Sequence, residues 1–144
     1  GTFDRVDHMS SNSVRIVDYK TGSIHLPNFP DLDNDVAINK FLNTLFIYDN
    51  KDYAAAFQGI LYALMYYKLY HCTEIYVAYH YAKKMKDGLE YLNNGAPIPI
   101  PLLLKFEERL SELLSELIYK KPYFIKSDLE KAYEYSAFAD LLGM

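Results

Sequence analysis

The sequence predicts an α/β (α+β) domain in which helices flank a small mixed β-sheet. Residues 2–9 and 14–20 are rich in Val, Ile, Phe and Tyr and flank a Ser/Asn-rich turn, which predicts a β-hairpin. Residues 53–70 and 102–119 repeat apolar side chains at helical spacing, and residues 74–81 alternate as a strand does. Strands, helix, strand and helix in this order are typical of helices packed against a sheet.

Composition limits the class of protein. The chain has 144 residues, enough for one domain with a sizeable core, and its 51% hydrophobic and 24% charged residues are an ordinary globular balance. The sequence has no apolar run near the roughly 20 residues that span a bilayer, and no signal-peptide pattern. The lone Cys72 excludes an intramolecular disulfide and favours a reducing compartment, so we expect a cytoplasmic protein without membrane partners. The net charge of −4 lowers the expectation of nucleic-acid binding, although a local basic track would suffice.

The predicted hairpin carries charges where a buried strand would have none. Asp4, Asp18 and Lys20 lie on otherwise apolar runs, and an unpaired buried charge costs several kcal/mol or more. A three-residue loop centred on Ser11 would place Asp4 directly opposite Asp18, with Cβ atoms roughly 5 Å apart. Asp18 and Lys20 are two apart, so they share a face of the strand. The sequence therefore predicts that these three side chains converge.

The middle of the chain predicts one long helix after an irregular connection. Residues 23–52 contain two prolines and many Asp and Asn residues, which indicates an irregular segment with a short helix or strand inside it. Asp52 is a candidate N-cap for a helix from Tyr53 to Tyr70. Gln58 and Tyr62 are four apart and share one helix face. The predicted core stripe of this helix is Phe57, Ile60, Leu61, Leu64 and Met65.

The C-terminal part predicts one short strand and two further helices. Residues 89–92 form a candidate strand, and the run from Leu102 to about Tyr119 is the clearest amphipathic helix. A shorter helix is predicted near residues 128–141. The predicted apolar face of the long helix is Leu103, Phe106, Leu110, Leu113, Leu114 and Leu117, which we interpret as a packing face.

An Asp-x-Lys run on a strand, together with a second strand carboxylate, has a specific chemical use. Carboxylates of Asp4 and Asp18, with the backbone carbonyl of Tyr19, are oxygen ligands suited to Mg²⁺ or Mn²⁺. A bound divalent cation activates water and offsets charge on a phosphate. Lys20 could orient or deprotonate the attacking water, or its ammonium could stabilise the pentavalent phosphorus.

Three motifs in this order resemble a known family. Residues 1–7 read Gly-Thr-Phe-Asp-Arg-Val-Asp, residues 17–22 read Val-Asp-Tyr-Lys-Thr-Gly, and Gln58 and Tyr62 form a Gln-x-x-x-Tyr pattern. Together they resemble the second and third motifs and the downstream helix of the RecB-like branch of the PD-(D/E)xK nuclease superfamily. Asp-x-Lys alone would be a weak signal. The match is good over residues 1 to about 82 and loose beyond them.

The resemblance implies a restriction-endonuclease-like core and the activity of a metal-dependent DNA nuclease. We expect an exonuclease that acts in DNA recombination and double-strand break repair. It implies DNA and a helicase or nuclease subunit as partners and Mg²⁺ or Mn²⁺ as cofactor. Carried over by position, Asp4 and Asp18 are the metal ligands, and Lys20 is the catalytic lysine. Gln58 and Tyr62 are the extra pair that reaches the active site or the DNA. The neighbours Arg5 and Asp7 are expected to stabilise the hairpin by pairing.

The departures from the family pattern are also informative. The family's first motif, a His or Glu on an upstream helix, has no counterpart here, which predicts that residues 1–144 are a single domain from the C-terminal part of a longer helicase–nuclease-type protein. One metal ligand is then missing, so we expect this stretch alone to be an incomplete site. AddB-like members carry iron–sulfur cysteines near the C-terminus, where this chain has Ala132, Tyr135 and Leu141 or Leu142. The sequence therefore predicts no iron–sulfur cluster.

Two alternatives stay open at this point. A catalytically silent relative would keep the fold as a DNA-binding or scaffolding module. A purely structural α/β domain would use the strand acids for salt bridges. The nuclease hypothesis is preferred because a silent site has no physical reason to retain costly buried charges.

Overall fold

The computed structural model describes residues 2–22, 24–46 and 51–120. The chain divides into two compact units, Gly1–Ser111 and Glu112–Met144. The predicted helix near residues 128–141 and the positions compared with iron–sulfur cysteines lie outside the described residues.

In the described residues, four strands form one mixed sheet in the order β1-β2-β3-β4. The pair β1–β2 is antiparallel, β2–β3 is parallel and β3–β4 is antiparallel. The predicted α+β class is confirmed. The strands are β1 (Arg5–Ser10), β2 (Ser13–Lys20), β3 (Glu74–Tyr81) and β4 (Glu90–Tyr91).

The hairpin has the predicted register, although its turn differs from the prediction. Arg5 pairs with Val17, so the next position outward sets residue 4 against residue 18. The loop is two residues long, because Ser10 already pairs with Ser13, and the predicted three-residue loop is wrong. An irregularity between His8 and Ser10 absorbs the difference of one residue and keeps the register beyond it.

Helices follow the hairpin. They are α1 (Asp35–Leu45), α2 (Lys51–Tyr70) and α3 (Ile100–Ser115), with a 3-10 turn at Ala82–Asp87 and a π-helical turn at Glu116–Lys120. The Asn34 side chain caps α1 by accepting a hydrogen bond from the Ala37 amide at 3.1 Å. Helix α2 begins at Lys51, so the predicted N-cap at Asp52 is wrong and that residue lies within the helix.

The core lies between the sheet and α2. Val14 and Ile16 of β2 and Ile75 and Val77 of β3 are buried on one face of the sheet. Helix α2 adds the buried side chains of Ala55, Ala56, Ile60, Ala63, Leu64 and Tyr66. Small residues let the helix lie close to the strands. Met65, predicted in the core, is 36% exposed, because the buried stripe runs through Ala56, Ile60 and Ala63 instead.

Helix α3 is buried along its first half. Leu102, Leu103 and Phe106 are buried, and Phe106 contacts the rings of Phe46 and Phe57 with centroids 5.3 and 5.1 Å apart. The predicted face does not stay buried to its end, since Leu113, Leu114 and Leu117 are exposed. Among the described residues, none of the helices combines the length and the apolar character needed to span a bilayer.

Candidate active site

The C-terminal end of β2 brings two of the predicted site residues together. Asp18 and Lys20 lie on the same face as Val14 and Ile16, which is the face that α2 covers. Asp18 is 6% exposed, and its Oδ2 lies 2.8 Å from the Lys20 Nζ. Among the described residues Oδ2 has no hydrogen-bond partner, so the two charges are adjacent but not aligned as donor and acceptor. Asp18 is therefore a buried carboxylate balanced by charge without a directed hydrogen bond.

Helix α2 contributes the next two residues. The Lys20 Nζ donates to the Gln58 Oε1 at 2.7 Å, and the Gln58 Nε2 donates to the Tyr62 hydroxyl at 2.9 Å. These two contacts fix which way the Gln58 amide points, because its oxygen must face the ammonium. Asp18, Lys20, Gln58 and Tyr62 thus form a continuous chain of polar contacts from the strand to the helix.

Asp4 reaches the same strand end from the segment before β1. Its Oδ2 accepts a hydrogen bond at 3.0 Å from the Tyr19 amide, which belongs to the peptide that follows Asp18. Phe3 anchors this segment on α2, with its ring centroid 5.3 Å from that of Tyr62 in an edge-to-face arrangement. The exposed Asp4 carboxylate is therefore held beside the backbone at residues 18 and 19.

Helix α2 lies very close to β3 next to the site, and the sequence analysis did not predict this close approach. The buried Tyr79 hydroxyl donates to the Ala55 carbonyl oxygen at 2.6 Å. A Cβ on Gly59 would lie 2.4 Å from that hydroxyl and 2.8 Å from the Val77 Cγ1, so no other residue fits there without a shift. Burial, and secondarily the Asp18 charge, raises the pKa of Tyr79, so its phenol remains a proton donor. In the sequence, the glycine at position 59, next to Gln58, was the one feature that could have indicated this close approach of helix and strand.

The donor set fits a cation that keeps much of its own hydration. Mg²⁺ is usually held by one or two carboxylates together with waters and substrate phosphates. Asp18 has an oxygen without a hydrogen-bond partner among the described residues, and the exposed Asp4 carboxylate accepts a hydrogen bond from the amide of the next residue, Tyr19. Groups of three or more His, Cys, Asp or Glu side chains able to hold a metal ion are absent from the described residues. The two carboxylates and the Tyr19 carbonyl could thus form part of a cation site.

A second polar cluster lies on the opposite face of the sheet. Asp7 accepts from the Arg5 Nε at 2.7 Å through Oδ1, and from the Arg15 Nε and Nη2 at 3.0 and 2.7 Å through Oδ2. The Arg15 Nη1 donates to the Tyr91 hydroxyl at 2.9 Å. The hydrogen bond from Arg5, followed by that from Arg15, lowers the pKa of Asp7. The pairing of Arg5 with Asp7 agrees with the role predicted for them in the hairpin.

Comparisons with protein-family models, with curated proteins and with solved structures find no match to this chain. The resemblance to RecB-like nucleases therefore rests on the motif residues themselves.

Proposed function

We propose that the protein is a metal-dependent DNA nuclease of the PD-(D/E)xK superfamily, hydrolysing phosphodiester bonds at the end of β2. The observation that carries the proposal is the chain of contacts from Asp18 through Lys20 and Gln58 to Tyr62. Two motifs supply these residues, one with Asp18 and Lys20 and one with Gln58 and Tyr62, and Asp4 of a third motif accepts a hydrogen bond from the Tyr19 amide. A scaffold that needed only salt bridges would have no need to order a glutamine and a tyrosine around the lysine.

The carboxylates of Asp4 and Asp18 and the backbone carbonyl of Tyr19 would hold Mg²⁺ or Mn²⁺. When bound, such a cation supplies a more acidic water and offsets charge that develops on the phosphate. Both effects are strongest where the ligands come from a site with little water, and Asp18 is buried.

Lys20 has donors to spare. Its ammonium carries three protons, of which one is donated to the Gln58 Oε1, while Asp18 lies beside it as a charge partner without a directed hydrogen bond. A remaining N–H can donate to a water or to a phosphate oxygen. Gln58 and Tyr62 hold the ammonium in place, and this fixed orientation lowers the reorganisation needed during reaction.

The biological setting follows from the resemblance. We place the protein in the cytoplasm, acting as an exonuclease on DNA in recombination and double-strand break repair together with a helicase or nuclease partner. The second candidate function is a catalytically silent DNA-binding or scaffolding module. The observation that favours it is that Lys20 and Asp18 already neutralise each other, which a silent fold could retain for stability.

Cleavage of end-labelled linear DNA in Mn²⁺ or Mg²⁺ tests the proposal. We expect Lys20→Ala and Asp18→Ala to lower the cleavage rate by roughly 10²- to 10³-fold, the usual effect of removing a group that stabilises charge in the transition state. Mn²⁺ binding, measured by calorimetry, should weaken in Asp18→Ala and persist in Lys20→Ala.

Asp7→Ala is the matched control, because it removes another strand carboxylate of the same hairpin from the opposite face. It should cleave at the unmodified rate at a temperature where every variant is folded. The nuclease assignment is wrong if the full-length protein neither binds Mn²⁺ nor cleaves DNA, or if both site variants cleave as fast as the control. DNA binding without cleavage or metal binding would favour the silent module.

A further inference from the structure

We propose that Tyr79 is a positioning residue of the candidate active site, and this inference rests on the proposed nuclease function. Its buried phenol sets the distance between α2 and β2 at which the Lys20 ammonium meets the Gln58 amide. Tyr79 belongs to none of the motifs that mark the site. It is assigned from contacts on β3 and α2 alone.

The first argument is its position in the sheet. Tyr79 is the β3 partner of Asp18 in the parallel register, and alternation puts both side chains on the face covered by α2. Tyr79 is 0% exposed. It thus lies directly beneath the helix and beside the carboxylate end of the chain of contacts.

The second argument is that its hydroxyl holds the helix backbone next to Gln58. The Tyr79 hydroxyl donates to the Ala55 carbonyl oxygen at 2.6 Å. In an α-helix that carbonyl also accepts from the amide four residues later, which is Gly59. A carbonyl oxygen has two lone pairs, so it can serve both donors. The phenol therefore holds the turn of α2 that contains Gln58 by a hydrogen bond to its backbone.

The third argument is the space at Gly59. The Tyr79 hydroxyl lies 2.4 Å from where a Cβ of residue 59 would be. Glycine at position 59 thus allows α2 to pack directly against the phenol, and the hydrogen bond to Ala55 holds the helix in that position. The packing contact is at Gly59 and the hydrogen bond is at Ala55, so the two lie on either side of Gln58. Together they fix the distance between Gln58 and Lys20.

Loss of the hydroxyl should affect the reaction more than the fold. Tyr79→Phe keeps the ring in the core, and the Ala55 carbonyl keeps its helical hydrogen bond. The helix is then free to shift relative to β2. Since a misplacement of about 1 Å in a catalytic group can cost about a hundredfold in rate, we expect kcat to fall roughly tenfold with KM for DNA unchanged.

Tyr81→Phe is the matched control. Tyr81 lies two residues further along the same strand and face, is buried, and has its hydroxyl next to Glu90 of β4. Its kcat should equal that of the unmodified protein. An equal fall in both variants would overturn the proposal, because the effect would then be a general cost of removing a buried phenol.

A double variant separates positioning from packing. Gly59→Ala alone should lower both stability and kcat, because its methyl group meets the Tyr79 hydroxyl. Adding Tyr79→Phe removes the nearest clashing atom, so the urea midpoint should partly recover while kcat stays low. Recovery of kcat in step with the midpoint would show that Tyr79 is merely structural.

A direct measurement keeps this inference separate from the nuclease assignment. In NMR spectra, the unmodified protein and Tyr81→Phe should show a nuclear Overhauser contact between the Lys20 Hε protons and the Gln58 side-chain amide. Tyr79→Phe should lose it. Full retention of the contact in Tyr79→Phe overturns the proposal even if DNA is cleaved. If the full-length protein does not cleave DNA at all, the proposed function fails, and the NMR contact still decides whether Tyr79 positions Gln58.

Discussion

One hairpin supplies two polar clusters, and the sheet separates them. The site cluster of Asp18 and Lys20 lies on the face under α2, and the hairpin cluster of Asp7 with two arginines lies on the other face. Each centres on a strand carboxylate next to a cationic side chain. They differ in how completely that carboxylate is used.

In the hairpin cluster both oxygens of Asp7 accept hydrogen bonds from arginine. In the site cluster the Asp18 Oδ2 has no such donor within the described part of the chain, although it is the more deeply buried carboxylate. A saturated, partly exposed carboxylate is typical of a structural pair. A buried one with unused acceptor capacity fits a role that needs a further positive partner. The same residue type thus serves stability on one face and chemistry on the other.

The largest expected contrast is in metal binding. A cation that binds the folded protein stabilises it by about 2.7 kcal/mol at a concentration a hundredfold above its Kd. We expect Mn²⁺ to raise the free energy of unfolding in this way for the unmodified protein and for Asp7→Asn. In Asp18→Asn the increment should disappear, as measured by urea denaturation with and without Mn²⁺. Equal increments in the two variants would contradict the assignment of Asp18 as a ligand.

Much of this contrast could be predicted from local sequence patterns. Alternation along β2 predicted that Asp18 and Lys20 share one face of the strand, and a spacing of four residues predicted that Gln58 and Tyr62 share one face of the helix. The hairpin register was also predictable, even though the loop is one residue shorter than expected, because the irregularity before Ser10 compensates. These features depend on periodicity, which the sequence carries directly.

The features that were mispredicted or missed depend on how elements meet. Met65 has helical spacing suited to the core, yet small residues elsewhere on α2 turn it outward. The contact of Tyr79 with Gly59 depends on a helix-to-sheet distance that no local pattern encodes. The end of α3 shows the same limit, since an amphipathic pattern at Leu113 and Leu114 does not say whether a partner surface covers it.

A smaller effect is expected from the hairpin cluster. Arg15→Ala removes the donors to Asp7 and to the Tyr91 hydroxyl, and hydrogen bonds to charged groups contribute about 1.5–3 kcal/mol each. Because the side chain is partly exposed, we expect a loss near the lower end, about 2 kcal/mol, in urea denaturation. Cleavage should be unchanged at a temperature where the variant is folded. The free energy of unfolding of Arg15→Lys should lie between those of the unmodified protein and Arg15→Ala. Lysine keeps the charge but lacks the forked guanidinium that contacts Asp7 and Tyr91 together. A cleavage defect in a folded Arg15→Ala would show that the two clusters are coupled through the sheet.

The smallest effect is a pH dependence confined to acid. The Arg5 and Arg15 guanidiniums hold the pKa of Asp7 below its ordinary value of 3.8 in the folded protein. The folded state therefore binds a proton at this group less readily than the unfolded chain does. Its contribution to stability is fully present above the unfolded pKa and is lost as the pH falls through the folded pKa. Urea midpoints measured from about pH 5 to about pH 2 should decline less steeply in Asp7→Asn than in the unmodified protein. Parallel declines in the two proteins would mean that the arginine pairs, though well formed, do not distinguish the folded from the unfolded state.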